Sequence, residues 1–250
     1  MTDKESARSA WHGTLAENNG VPQWGKAAEK LRELKAYRAA AAVFATPGQS
    51  LHQARINCLV DGKNLVMPGP SIREGFFLLP AHSIPFKDLS AAVTYKALKK
   101  NGQQLKTKDI PKLSLGLLLT DSVAVDHAGG RLGDGNGFFD LCCALLQELG
   151  GLQHDITLLT FVMERQISQD LLPQDAWDVK MTGAITPSRI IQFGPSGPKP
   201  KIFWDAIDRQ RIKRIDPLWK LFKDQGVKGS RIQGIERRTR TADREINRTE

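Results

Sequence analysis

Residues 129–140, GGRLGDGNGFFD, place five glycines within nine positions and then turn apolar. Backbone this bare ahead of a helix has two uses: it turns the chain tightly, or it lets a ligand come close to the amides. Glycine admits positive φ and lacks the Cβ that would hold a phosphate away. A strand, a glycine-rich turn and a helix in that order make an anion site from backbone alone. Successive N–H groups converge there, and the helix start adds about half a positive charge. The run matches neither G-x-G-x-x-G nor G-x-x-x-x-G-K-[ST], so the dinucleotide and Walker patterns are set aside. Asp134, inside the run, opposes a phosphate unless its carboxylate points away. The chain offers no defensible Ser/His/Asp or Cys/His set. Cys58, Cys142 and Cys143 lack metal-type spacing.

Around this loop the pattern predicts alternating elements. Residues 4–16 read as a short helix, and KAAEKLRELKAYRAA as a second, rich in good helix formers. AAAVFAT (40–46) fits a helix end or a strand. Ser50 is placed to N-cap a helix over about 51–61. KNLVMPGP and GFFLLP read as buried strands, and DLSAAVTYKALKKNGQ as one helix with Gly102 as its C′ residue. LSLGLLLTDSVAV is nearly continuous apolar sequence, as in a strand covered on both faces. FFDLCCALLQELGG follows as a helix, then ITLLTFVME and SRIIQF as strands. Strands alternating with helices imply a layered α/β domain with a mostly parallel sheet flanked by helices. Asp121 and Asp126 flank SVAV, each either facing the crevice at a strand end or serving a turn.

The net charge of +9 comes from 36 Lys and Arg against 27 Asp and Glu. Residues 199–250 carry +7 of it, so the body is almost neutral. The expected organisation is a domain over 1–193, a Pro/Gly linker over 194–201, a helical extension over 202–225 that packs on the domain, and a basic mobile tail over 226–250. No nucleic-acid motif accompanies the tail arginines, and acids are interleaved with them, so nucleic acid is not the expected partner. No apolar run approaches the roughly 20 residues of a membrane span, and the first residues lack the apolar core of a secretory signal. A cytoplasmic location is expected.

GGRLGDGNGFFD resembles the G-x-R-x-G-x-G-x-G-Y-Y-D signature of 5-formyltetrahydrofolate cyclo-ligases. DKESAR is similar to that family's N-terminal K-x-x-x-R helix, GKNLVMPGP to its G-K-x-hydrophobic-x-x-P strand, and LLPQDAWDVKMTGAITPSRII to a late segment. The likeness spans about residues 4–192. It implies a Rossmann-like α/β fold of cyclo-ligase type and the ATP- and Mg²⁺-dependent closure of 5-formyltetrahydrofolate to 5,10-methenyltetrahydrofolate. Such a reaction needs positioning and charge neutralisation more than a protein nucleophile.

Carried over by position, the resemblance implies that Lys4, Arg8 and Arg131 contact the ATP phosphates. Gly133, Gly135, Asn136 and Gly137 form the cradle, and Asp140 works with Mg²⁺. Arg131 and Asp140 are the expected catalytic pair. Met67, Glu74, Phe138 and Phe139 are the expected contacts to a reduced folate, with Glu74 as the carboxylate for the pterin. The departures are Asn136 for a lysine, Phe138 and Phe139 for tyrosines, Leu141 for a polar residue, Trp177 for a histidine and Thr182 for an aspartate. Asn136 and Thr182 favour the alternative of a non-catalytic or repurposed relative that binds a folate or nucleotide.

Overall fold

A computed structural model describes residues 3–16, 23–195 and 197–224. The expectation for residues 226–250 lies outside them. The element order is α1 (Lys4–Ala16), α2 (Trp24–Glu33), α3 (Lys35–Ala39), β1 (Ala42–Ala45), α4 (His52–Val60), β2 (Asn64–Pro68), β3 (Phe76–Leu79), α5 (Leu89–Ala92), α6 (Tyr95–Asn101) and β4 (Gln103–Gln104). Then come β5 (Leu115–Asp121), β6 (Ala124–Asp126), β7 (Arg131–Leu132), α7 (Phe138–Glu148), β8 (Leu152–Phe161), β9 (Ile167–Ser168), β10 (Gly183–Ile185), β11 (Ile190–Gln192), α8 (Arg209–Arg214) and α9 (Asp216–Asp224).

The main sheet has the order β11-β10-β8-β5-β1-β2-β3-β4. Strands β10, β8, β5, β1 and β2 run parallel, and antiparallel β11, β3 and β4 complete the edges. Both faces are covered, which is why the inner strands read as unbroken apolar runs. In β1, Ala42 and Phe44 enter one core with α7, α8 and α9, while Val43 and Ala45 enter the other with α2 and α4. Ile202, Ile212, Ile215 and Leu218 are buried in the first of these cores.

From β1 the chain builds outward to β4, then returns to lay β5, β8 and β10 on the other side. That reversal leaves a crevice beyond the C-terminal ends of β1 and β5. A second sheet, β7-β6-β9, stands beside it. Helix α1 packs on this small sheet through Ala7 and Trp11.

Several expected elements are divided differently. The helix over 26–40 breaks at Leu34, whose backbone is extended (φ −73°, ψ 133°). The helix before Gly102 breaks at Thr94 (φ −107°, ψ 156°), and Gly102 itself is extended rather than left-handed. Ser50 does not cap α4; its hydroxyl donates to Asp121 instead. AAAVFAT holds a strand, and LSLGLLLTDSVAV splits into β5 and β6, which belong to different sheets. Strand β10 escaped the pattern because its three residues, Gly183–Ile185, are too short to show alternation.

Candidate active site

A cavity of about 790 Å³ fills the crevice at the switch point of the sheet. Its floor comes from Thr46, Pro47 and Gly48 after β1 and from Thr120 and Asp121 at the end of β5. Arg55 of α4 is buried and fixes the first of these segments. It donates to the carbonyls of Thr46 at 2.7 Å, Gly48 at 2.8 Å and Val93 at 3.0 Å. Burial lowers its pKa to about 10, with the Asp121 charge opposing. Asp121 Oδ2 accepts from Ser50 at 2.8 Å.

The glycine run first turns the chain and then borders the cavity. Strands β6 and β7 form a hairpin turned by Gly129 (φ +81°) and Gly130. The Asp126 carboxylate accepts from the amides of Ala128, Gly130 and Leu172, so it is a buried turn-holder and not a crevice residue. Strand β7 then delivers Arg131, and Gly133, Gly135 and Gly137 follow along the cavity wall. Gly135 and Gly137 have φ of +93° and +60°, where glycine is needed. A Cβ at Gly133 would come within 2.7 Å of Arg131 Nη1. No side chain caps α7, so its first amides are left for solvent or a ligand. Asp134 turns back on the loop, its two oxygens accepting from the Asn136 amide and side chain.

The basic residues reach this loop by separate routes. Arg131 is 6% exposed and donates from Nη2 to Asp140 Oδ2 at 2.7 Å, with its Cζ 4.9 Å from the Phe139 ring centroid. Its Nε is buried with no partner, an arrangement that costs energy unless something else accepts that hydrogen. The other Asp140 oxygen accepts from the Val179 amide at 3.1 Å. Lys4 pairs with Asp175 at 2.7 Å and with Asp178. Arg8 donates Nε to the Gly133 carbonyl at 3.1 Å. From α8, Arg211 donates to the Asn136 carbonyl at 2.6 Å and lies over the Phe138 ring.

The structure thus brings Lys4, Arg8, Arg131, Gly133, Gly135, Asn136, Gly137, Phe138, Phe139 and Asp140 to one cavity. It corrects two folate expectations. Met67 is fully buried in the core, and Glu74 is partly exposed and ion-paired with Lys99; neither lines the cavity. Asp140, the residue expected to work with Mg²⁺, lines the cavity with its two oxygens accepting from Arg131 and from the Val179 amide, and among the described residues no three His, Cys, Asp or Glu converge on a metal site. Phe139 is only 4% exposed and packs on Phe44, so it supports Arg131 from the core side more than it offers stacking surface. Thr182 lies outside the cavity and bonds both backbone groups of Leu158. Trp177 lines the wall, edge-on to Phe203.

Sequence reasoning missed Phe203, Ile207 and Arg211, which close the cavity from the C-terminal extension. Their signal was only an aromatic- and cation-rich segment after a linker. Among the described residues no helix is long and apolar enough to cross a membrane.

The chain is thus an α/β protein with a crevice at the switch point of its parallel sheet, lined by a glycine loop, a helix start and several charged side chains. The chain belongs to the 5-formyltetrahydrofolate cyclo-ligase family, whose model matches residues 9–187. It is 27% identical over 213 residues to a methenyltetrahydrofolate synthase domain-containing protein of Danio rerio, covering 82% of this chain and 55% of that protein. The corresponding protein of Homo sapiens is 26% identical over 216 residues, covering 83% and 55%. The chain therefore spans about half the length of these curated relatives. The 5-formyltetrahydrofolate cyclo-ligase of Escherichia coli strain K12 is 33% identical over 101 residues, 38% of this chain and 50% of that one. In structure, the 5,10-methenyltetrahydrofolate synthetase of Aquifex aeolicus matches with a TM-score of 0.53 at 18% identity, over 82% of this chain and 99% of that one, a likeness of fold.

Proposed function

We propose that the cavity binds ATP and a reduced folate side by side and closes 5-formyltetrahydrofolate to 5,10-methenyltetrahydrofolate. The observation that carries this reading is the convergence of an uncapped helix start, a glycine cradle and the cations Lys4, Arg8 and Arg131 on one cavity. A polyphosphate accepts from those amides and pairs with those charges. When bound, ATP supplies a phosphoryl group that makes the formyl oxygen a leaving group for displacement by N10.

The chain's own residues bind and orient. The amides of the glycine loop and of the first turn of α7 hold the phosphates, with Arg131, Arg8 and Lys4 neutralising charge. Asp140 fixes the Arg131 guanidinium. Asp121, held by Ser50, supplies the wall carboxylate expected of Glu74 and takes the polar edge of the pterin. Ile72, Ile207 and Phe203 give that flat ring an apolar slot. The residues present do not form a Mg²⁺ site on their own; such an ion would rely on phosphate oxygens and water for most of its ligands.

One feature supports a second reading, in which the chain binds these ligands without turnover. Five cations line the cavity and five aspartates balance them, so the wall has no net positive charge. Absorbance of the methenyl product, followed with 5-formyltetrahydrofolate, ATP and Mg²⁺, decides between the two. ATP-dependent product supports ring closure. Folate binding by calorimetry with product at background supports the binding-only relative.

A further inference from the structure

Two guanidinium groups grip the glycine loop from opposite ends of the chain. Arg8 of α1 donates to the Gly133 carbonyl, and Arg211 of α8 donates Nη2 to the Asn136 carbonyl at 2.6 Å. Between those carbonyls the loop itself, Gly133 to Gly137, carries no cation. Lys4 is paired with Asp175 and Asp178, and Arg131 with Asp140. Among the described residues no carboxylate forms an ion pair with Arg211.

Its guanidinium instead lies over Phe138, with Cζ 5.0 Å from the ring centroid. That contact and the Asn136 carbonyl fix it on the cavity wall while leaving most of its five N–H groups unused. Burial pushes its pKa below the usual arginine range, although the Asp134 charge opposes this. Asp134 gives its carboxylate oxygens to Asn136 instead. A cation held partly out of water without a counter-ion is costly unless an anion arrives to pair with it. Helix α8 lies beyond residues 9–187, the segment matched by the family model.

We propose that Arg211 is a polyphosphate-binding residue that forms a guanidinium clasp with Arg8 around the glycine loop. The C-terminal extension thereby completes an anion subsite that the loop leaves short of charge. The proposal rests on the ATP reading above and adds to it a charge from outside the family-matched segment.

Calorimetric titration of the full chain with tripolyphosphate and with ATP tests it, using wild type, Arg211→Gln, Arg211→Lys and the double variant Arg211→Gln/Asn136→Lys. Arg211→Gln is expected to weaken both anions roughly 10- to 100-fold, the loss of one charge-assisted contact. Affinity for 5-formyltetrahydrofolate and the melting temperature should hold. Arg211→Lys should recover part of the loss, and so should Asn136→Lys, which returns a charge to the same loop. Equal anion binding by wild type and Arg211→Gln overturns the role of Arg211 and leaves the ATP reading standing. If Arg211→Gln lowers folate affinity and melting temperature together, and neither lysine restores anion binding, Arg211 is a packing residue and the proposal is wrong. A wild-type chain that binds neither anion overturns the ATP reading and the clasp with it.

Discussion

Asp140 accepts from Arg131 at 2.7 Å with one oxygen and from the Val179 amide at 3.1 Å with the other. One buried carboxylate therefore joins β7, the first turn of α7 and the segment ahead of β10. Both side chains are 10% exposed or less. Removing the acid strands a buried guanidinium, which typically costs about 3–5 kcal/mol. Asp140→Ala should lose stability on that scale in a urea titration as well as losing polyphosphate affinity. Full stability in this variant would show that the pair is not structural.

Lys4 is the cavity cation most heavily countered by acids. Asp178 holds it from a position only 10% exposed, whereas Asp175 is 42% exposed at the rim. Phosphate must compete with both carboxylates for the ammonium. Asp175→Asn should therefore raise tripolyphosphate affinity, by several-fold at low salt and by less as salt screens the site. An unchanged affinity at every salt concentration would remove Lys4 from the phosphate contacts.

Much of this arrangement was legible in the chain. The inner strands announced themselves because both their faces are covered, and the glycine run because backbone so bare ahead of a helix must either turn tightly or let a ligand approach. The breaks at Leu34 and Thr94 were not legible. Their neighbours are good helix formers, and only packing against the sheet decides where such a helix divides. Asp121 and Asp126 looked alike in sequence. One faces the cavity and the other accepts three amides in a turn, a difference made by partners distant in sequence. Arg211 reaches a carbonyl 75 residues earlier, and no local pattern encodes that contact.

Gly48 and Gly137 both border the cavity, yet alanine should fail at each for a different reason. At Gly48 the backbone (φ −48°) suits any residue, but a Cβ would come within 2.0 Å of Asp121 Oδ2. At Gly137 the space is open and the φ of +60° is the obstacle. Gly48→Ala should displace the Asp121 carboxylate and weaken folate binding more than anion binding. Gly137→Ala should cost about 1–2 kcal/mol of stability from left-handed strain and weaken anion binding instead. Paired titrations with 5-formyltetrahydrofolate and tripolyphosphate check the crossover. Identical losses of both ligands in both variants would contradict a divided cavity.

Away from the cavity, Asp61 sets part of the acid stability. Burial alone would raise its pKa, but the hydrogen bonds from Arg32 at 2.7 Å and Tyr37 at 2.7 Å outweigh that and hold it below the usual carboxylate range. A depressed folded-state pKa contributes stability that is complete above the unfolded value, about 3.9, and is lost as pH falls through the folded one. Asp61 is 26% exposed and Arg32 32%, so solvent trims the contribution. Asp61→Asn should be less stable than wild type at neutral pH. The gap should narrow as pH falls below about 4, where the carboxylate of the unfolded chain takes up its proton before the folded one does. Urea midpoints measured from pH 7 down to pH 2.5 test this, and a gap that stays constant over the whole range would show that the Asp61 charge contributes nothing.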